Sequence, residues 1–295
     1  MRIGIVKPGK KIFFYNNELD HASWSKEVTS IIEILARAGH KVFIMSPTDY
    51  RSGTLENVYE SYPEHLNMIV MWNGVLTDEG VIPQLKSICD KLVLIVTDLA
   101  LLPKHIELFD TILTQSKRFH AYGHIEENVL FDYKATEFNP LDKKLRYYFG
   151  GTERNRLGDI LEYVWRPECF WKGKSAFLNK LDYVPYYKHL ENVKDAMFTI
   201  IIGDEDYNKI GFVTPRYYEA LKYDVIAFVD CKYDPDCLLI PMKDFRRVSS
   251  YKEMYLKMKE LENDTEKYSS LIKQQRREIT QDKVDGANIL KLLTC

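Results

Sequence analysis

The chain of 295 residues has no window near the roughly 18 uninterrupted apolar residues that a membrane-spanning helix requires. The opening Met1-Arg2-Ile3-Gly4-Ile5-Val6-Lys7 is also too short an apolar stretch for a secretory signal, so no membrane partner and a cytoplasmic location are expected. Cysteine is scarce: Cys89, Cys169, Cys231, Cys237 and Cys295 are scattered and odd in number, and none are in Cys-x-x-Cys spacing. A disulfide framework and a structural zinc site are therefore excluded as organising devices. An excess of either charge is missing too, with 41 Lys and Arg against 43 Asp and Glu and a net charge of −2. No domain-wide basic footprint announces a nucleic acid.

Several motifs are absent as well. The histidines (His21, His40, His65, His105, His120, His124 and His189) form no His-x-x-x-His helical pair, because Gly123 interrupts the one candidate, and no protein-bound metal is assigned. Neither G-x-G-x-x-G nor G-x-x-x-x-G-K-[ST] occurs, which argues against a typical dinucleotide oxidoreductase and a P-loop ATPase. There is no G-x-S-x-G nucleophile elbow. What the chain does have is aromatic content of 13%, with 20 tyrosines, several in doublets such as Tyr147-Tyr148 and Tyr217-Tyr218. Packing in cores is the ordinary use of such residues.

Short β-branched runs recur at Ile3–Val6, Lys41–Met45, Asn67–Met71, Leu92–Val96, Thr111–Thr114 and Asn128–Phe131, with mostly helical patterns between the earlier ones. Strands alternating with helices predict an α/β fold with a parallel sheet. Between the first two runs, Val28, Ile31, Ile32, Leu35 and Ala38 mark a helix over Trp24 to Ala38 that Gly39 stops. The charged stretch Asp142-Lys143-Lys144-Leu145-Arg146 reads as the end of a linker, giving domains at 1–146 and 147–295. The second domain repeats the alternation: a strand at Tyr147–Phe149, a helix near Arg156–Val164, a run at Cys169–Trp171, strands at Met197–Ile202 and Val225–Val229, and a helix at Pro215–Lys222. From Ser250 to Leu293 the pattern is helical and polar.

Two such domains in series place a site in the cleft at the carboxyl ends of their strands. Asp98, in Leu94-Ile95-Val96-Thr97-Asp98, is delivered to such an edge and reads as a general base or as a turn and cap residue. Gly150-Gly151-Thr152 follows a strand and precedes a helix, so its amides are placed to face a phosphate. Arg154 and Arg156 lie at the start of that helix, and Arg216 lies at N2 of the helix that Thr214 caps and Pro215 opens. Cations in a first turn oppose the helix dipole by some 0.3–1 kcal/mol, which points to an anion nearby. Glu219 shares a helix face with Arg216; the two read as holders of a diphosphate and a ribose diol, or as an ordinary intrahelical pair. Glu27 begins the first helix, where an acid is favoured on electrostatic grounds alone. The basic loop Lys7, Lys10 and Lys11 and the pair Lys117 and Arg118 read either as phosphate contacts or as solvated charge.

The block Ile201-Ile202-Gly203-Asp204-Glu205-Asp206-Tyr207-Asn208, running into Arg216-Tyr217-Tyr218-Glu219 and Asp224-Val225-Ile226-Ala227-Phe228-Val229-Asp230, resembles the DNA β-glucosyltransferase of T-even bacteriophages. Thr97-Asp98, Gly150-Gly151-Thr152 with Arg154, Glu27 ahead of Ala38-Gly39, and the first six residues extend the resemblance to both halves. It implies a GT-B fold, with two Rossmann-like, doubly wound domains facing each other across a cleft: an acceptor domain for DNA, then a nucleotide-sugar donor domain. It implies Asp98 as general base, Glu27 as a sugar-side carboxylate, and Arg154 and Arg216 as diphosphate ligands. By the same resemblance Glu219 contacts the ribose, Asp204 and Tyr207 belong to the donor site, and Leu190 is the candidate uracil contact. The family spaces its two loop arginines four apart, whereas Arg156 follows Arg154 by two.

The expected activity is therefore inverting transfer of glucose, or a related sugar, from a UDP-sugar to a hydroxymethylated pyrimidine of double-stranded DNA, with Mg2+ or Mn2+ compatible with the diphosphate. The expected setting is a monomer in the cytoplasm of an infected bacterial cell. The alternatives are a GT-B enzyme with a non-DNA acceptor and a non-catalytic nucleotide-sugar-binding protein.

Overall fold

Continuous apolar strands, as opposed to alternating ones, belong to sheets covered on both faces. The computed structural model bears this out in two separate sheets. It describes residues 1–6, 13–15, 18–20, 34–45, 65–72, 81–96, 105–114, 125–128, 143–151, 153, 156–182, 184, 186–203, 214–237, 239–281, 291 and 293. The chain divides into one unit of Met1–Asp132 with Val284–Cys295 and a second of Tyr133–Lys283.

In the first unit the strands are β1 (Arg2–Val6), β2 (Phe13–Tyr15), β3 (Glu18–Asp20), β4 (Lys41–Met45), β5 (Leu66–Trp72), β6 (Cys89–Val96), β7 (Thr111–Thr114) and β8 (Ile125–Asn128), with helix α1 at Val81–Ser87. Six of them form a sheet in the order β4-β1-β5-β6-β7-β8, parallel throughout. Ile3, Ile5, Ile69, Val70 and Leu92 to Val96 are buried in it. Residues 34–37 are helical, and Gly39 ends that turn at φ 80°, with the His40 amide donating to the Leu35 carbonyl at 3.1 Å. A left-handed residue at this position is what glycine supplies at least cost. Residues 24–33 of the expected helix lie outside the described residues. The last strand is Ile125–Asn128, which shares Asn128 with the expected Asn128–Phe131, residues 129–131 lying outside the described residues; the pairing of β2 with β3 was not legible in the sequence.

The second unit contains β9 (Leu145–Gly150), α2 (Leu157–Asp159) continuing as a π-helical turn over Ile160–Val164, β10 (Cys169–Ser175), β11 (Lys180–Asp182), α3 (Tyr186–Asp195), β12 (Ala196–Ile201), α4 (Pro215–Lys222), β13 (Ile226–Asp230), β14 (Arg247–Val248), α5 (Tyr251–Asn263) and α6 (Thr265–Gln281). Its sheet runs β11-β10-β9-β12-β13-β14, with only β11 antiparallel. Phe149, Phe198, Ile200, Ile226 and Phe228 form a core with Met254, Met258, Leu261, Tyr268, Leu271 and Ile272 of the two long helices. The expected division at 146/147 falls within β9, whose apolar run already begins at Leu145; the units part after Asp132, and residues 284–295 group with the first unit instead of with the helices before them.

Each sheet begins the same way. The first strand of each sheet has a later strand on either side, β4 and β5 beside β1, and β10 and β12 beside β9, so the strand order reverses at it. Such a reversal of strand order opens a crevice at the carboxyl edge. Among the described residues no helix is long and apolar enough to cross a membrane.

Candidate functional site at the carboxyl edge of the second sheet

The strand-order reversal of the second unit lies between β9 and β12, whose carboxyl ends are Phe149-Gly150 and Ile201. Two arginines converge there. Helix α4 starts as its sequence predicts: the Thr214 hydroxyl accepts from the Arg216 amide at 3.2 Å, and Pro215 opens the first turn. This cap aims Arg216 back toward β9, where its Nη1 donates to the Gly150 carbonyl at 3.3 Å and its guanidinium lies 4.8 Å from the centre of the Phe149 ring. Arg156 approaches the same ring at 5.7 Å and donates to the Ile202 carbonyl at 3.0 Å, with only 9% of its surface exposed. An aromatic face attracts guanidinium groups, but two like charges at one ring repel each other. An anion between them relieves that repulsion.

The glycines are fixed by these neighbours. A Cβ on Gly151 would stand 2.6 Å from Arg216 Nη1 and 3.3 Å from Arg156 Nη2, and a Cβ on Gly150 would stand 2.3 Å from His189 Nδ1. One expectation needs correcting here. The Gly151 amide does not face outward: it donates to the Lys172 carbonyl at 3.0 Å, and the Glu153 amide donates to the Lys174 carbonyl at 2.8 Å. The β9–β10 ladder thus continues to Gly151 and uses its amide. Charge for an anion comes from the arginine side chains. The Gly151 carbonyl in turn accepts from Trp171 Nε1 at 3.0 Å, and Gly173 on β10 leaves room for it, because a Cβ there would meet that oxygen at 1.7 Å.

Glu219, one turn beyond Arg216, is 2% exposed, which sets aside the solvated surface pair. Its Oε2 lies 3.0 Å from His189 Nε2, and His189 Nδ1 lies 2.9 Å from the Tyr148 hydroxyl. Burial holds that hydroxyl protonated well above the usual tyrosine range. Tyr148, Gly150, His189, Arg216 and Glu219 line one pocket, floored by Val193, Ala196, Ala220 and Val225. The sequence reading found Gly150, Arg216 and Glu219 but missed Tyr148, His189, Trp171 and Gly173. The only signal for His189 was its place beside Leu190, which is half-buried on α3 and does not line this pocket.

Asp98, Glu27, Thr152, Arg154, Asp204, Tyr207, Lys7, Lys10, Lys11, Lys117 and Arg118 lie outside the described residues. Among the described residues no group of three or more His, Cys, Asp or Glu side chains is placed to hold a metal ion.

The fold, two mostly parallel sheets with helices, is that of the GT-B glycosyltransferases. T4 phage β-glucosyltransferase, solved with UDP and Mn2+, matches over 100% of both chains with a TM-score of 0.66 at 15% identity. An α-glucosyltransferase solved with UDP and a 13-mer DNA containing a hydroxymethyluracil base matches over 100% of both chains, with a TM-score of 0.62 at 10% identity. HepE of Anabaena, solved with UDP and glucose, matches 99% of this chain and 97% of its own with a TM-score of 0.56 at 10% identity. No protein-family model matches the chain. No curated protein matches it in sequence.

Proposed function

We propose that this protein is a phage DNA glycosyltransferase that moves glucose, with inversion, from UDP-glucose to the hydroxymethyl group of a modified pyrimidine in duplex DNA. The observation that carries the reading is the convergence of Arg156 and Arg216 on Phe149 at the strand-order reversal of a GT-B donor domain. Its support in the comparisons is that glucosyltransferases of this fold have been solved with UDP, one with manganese and another with DNA.

In this reading the Asp98 carboxylate takes the proton of the acceptor hydroxyl, and the hydroxyl oxygen bonds to the anomeric carbon of the sugar. The bond from that carbon to the diphosphate breaks, and UDP departs with the electron pair. Arg156 and Arg216, with Arg154, neutralise the charge that grows on the leaving group, a form of catalysis that fixed cations supply without reorganisation. Glu219 holds the ribose, Asp204 and Tyr207 complete the donor site, and Glu27 faces the sugar. The target nucleotide leaves the base stack to reach the site, at a cost of a few kcal/mol. Lys7, Lys10, Lys11, Lys117 and Arg118 contact the DNA backbone. The enzyme acts as a monomer in the cytoplasm of the infected cell.

The test is mass spectrometry of nucleosides after incubation with UDP-glucose and duplexes carrying hydroxymethylcytosine, hydroxymethyluracil or neither. One hexose added to a single modified base is expected, with the rate falling roughly 10²–10⁴-fold in Asp98→Asn while UDP affinity is kept. The balanced charge of −2 favours a second reading, a GT-B transferase with a non-DNA acceptor. UDP binding without any mass added to DNA would select it.

A further inference from the structure

Three elements of the second unit meet around one imidazole. His189 comes from α3, Tyr148 from β9 and Glu219 from α4, and they stand 41 and 30 residues from the histidine in sequence. The ring is pressed onto the backbone of β9 so closely that residue 150 has no space for a Cβ. The contacts form a chain: the Tyr148 hydroxyl at 2.9 Å from Nδ1, then Nε2 at 3.0 Å from Glu219 Oε2. A carboxylate only accepts, so Nε2–H donates to Glu219, and in that tautomer Nδ1 accepts from the Tyr148 hydroxyl. This fixes the tautomer and the orientation of the carboxylate together, as a histidine positioned by an outer partner does at other sites.

We infer that His189, backed by Tyr148, is a positioning residue that holds the Glu219 carboxylate for the ribose diol of the donor and so makes the site select ribonucleotides over deoxyribonucleotides. The inference rests on the proposed function, in which Glu219 takes the ribose. Selection of this kind suits an enzyme that works among deoxynucleotides, because a carboxylate set to accept from a ribose hydroxyl loses that hydrogen bond when the hydroxyl is missing.

The experiment compares UDP with 2′-deoxy-UDP by calorimetry, and UDP-glucose with its 2′-deoxyribose analogue by kinetics, in wild type, His189→Ala, His189→Gln and Tyr148→Phe. Wild type is expected to favour the ribose form roughly 10- to 100-fold, the range of one hydrogen bond to a charged group. His189→Ala should raise KM for UDP-glucose, leave kcat within about threefold, and reduce the ribose preference to about unity. His189→Gln, whose amide nitrogen reaches the place of Nε2, should restore much of the preference, and Tyr148→Phe should lose part of it. A His189→Ala protein that binds both nucleotides more weakly by one common factor, with its preference intact, would overturn the inference and leave the proposed function standing. A wild type that binds no UDP would overturn both.

Discussion

Two clusters of buried charge in the second unit follow different rules. Behind the sheet, Arg246 is 0% exposed and donates to Asp244 at 2.9 and 2.7 Å and to Glu278 at 3.1 and 2.5 Å, while Tyr217 also donates to Glu278 at 2.6 Å. Arg276 is paired with Asp224, which sits at φ 54°, and Arg247 donates to Asp234 at 3.1 Å. These pairs tie α6 and the stretch around β14 into the fold. At the carboxyl edge, by contrast, Arg156 and Arg216 rest on carbonyl oxygens and on the Phe149 ring. An arginine held by carboxylates in a closed network is a structural member, whereas in the proposed function the two arginines gathered at an aromatic face beside a strand-order reversal receive the diphosphate. The comparison predicts that the first cluster governs stability and the second governs ligand affinity.

The largest effect should come from the first cluster. Arg246→Ala leaves the buried Asp244 and the partly buried Glu278 without their cation, and loss of one partner of such a network costs about 3–5 kcal/mol. Denaturant unfolding followed by tryptophan fluorescence should show this, while UDP affinity of the folded fraction stays within about twofold. The next effect comes from the second cluster: Arg216→Ala should weaken UDP roughly 10- to 100-fold and move the unfolding midpoint little. If Arg216→Ala unfolds the protein as readily as Arg246→Ala, the distinction between the clusters fails.

A third effect, a pH dependence of stability, belongs to neither cluster. Lys143 Nζ donates to the Lys194 and Tyr223 carbonyls at 2.9 and 2.6 Å, and burial lowers its pKa to about 7 from 10.5. Between those values the unfolded chain binds the proton more tightly, so stability should rise with pH from about 7 toward 10 and be flat just below 7. Above about 10 the trend should reverse, because unfolding frees Tyr147, Tyr148 and Tyr217 to ionise from a burial that holds them protonated. Lys143→Met should remove the rise and keep the reversal, read as the midpoint of thermal unfolding across this range.

The parts of the site visible in the sequence were those encoded locally. Thr214-Pro215 places the start of α4 to the residue, and with it the register of Arg216 and Glu219, because a cap and an imino acid fix the first turn by their own chemistry. The parallel strands were legible from their apolar runs for the same local reason. What escaped depends on contacts across the fold. Strand β11 has three residues, too few for a periodicity, and α3, Tyr-Tyr-Lys-His-Leu-Glu-Asn-Val-Lys-Asp, is short and mostly polar, with only Leu190 and Val193 as aliphatic side chains. His189 was one of seven unremarkable histidines until β9 and α4 brought Tyr148 and Glu219 to its two nitrogens. Gly150-Gly151 was visible as a motif, but not that the Gly151 amide is taken by the Lys172 carbonyl of β10, a contact across the sheet.

The most direct test is a crystal structure of the protein with UDP bound. The account predicts the diphosphate beside Gly151, within hydrogen-bond distance of both the Arg156 and Arg216 guanidiniums, with the ribose against Glu219. UDP bound elsewhere, with both arginines still on the Ile202 and Gly150 carbonyls and on Phe149, would contradict it.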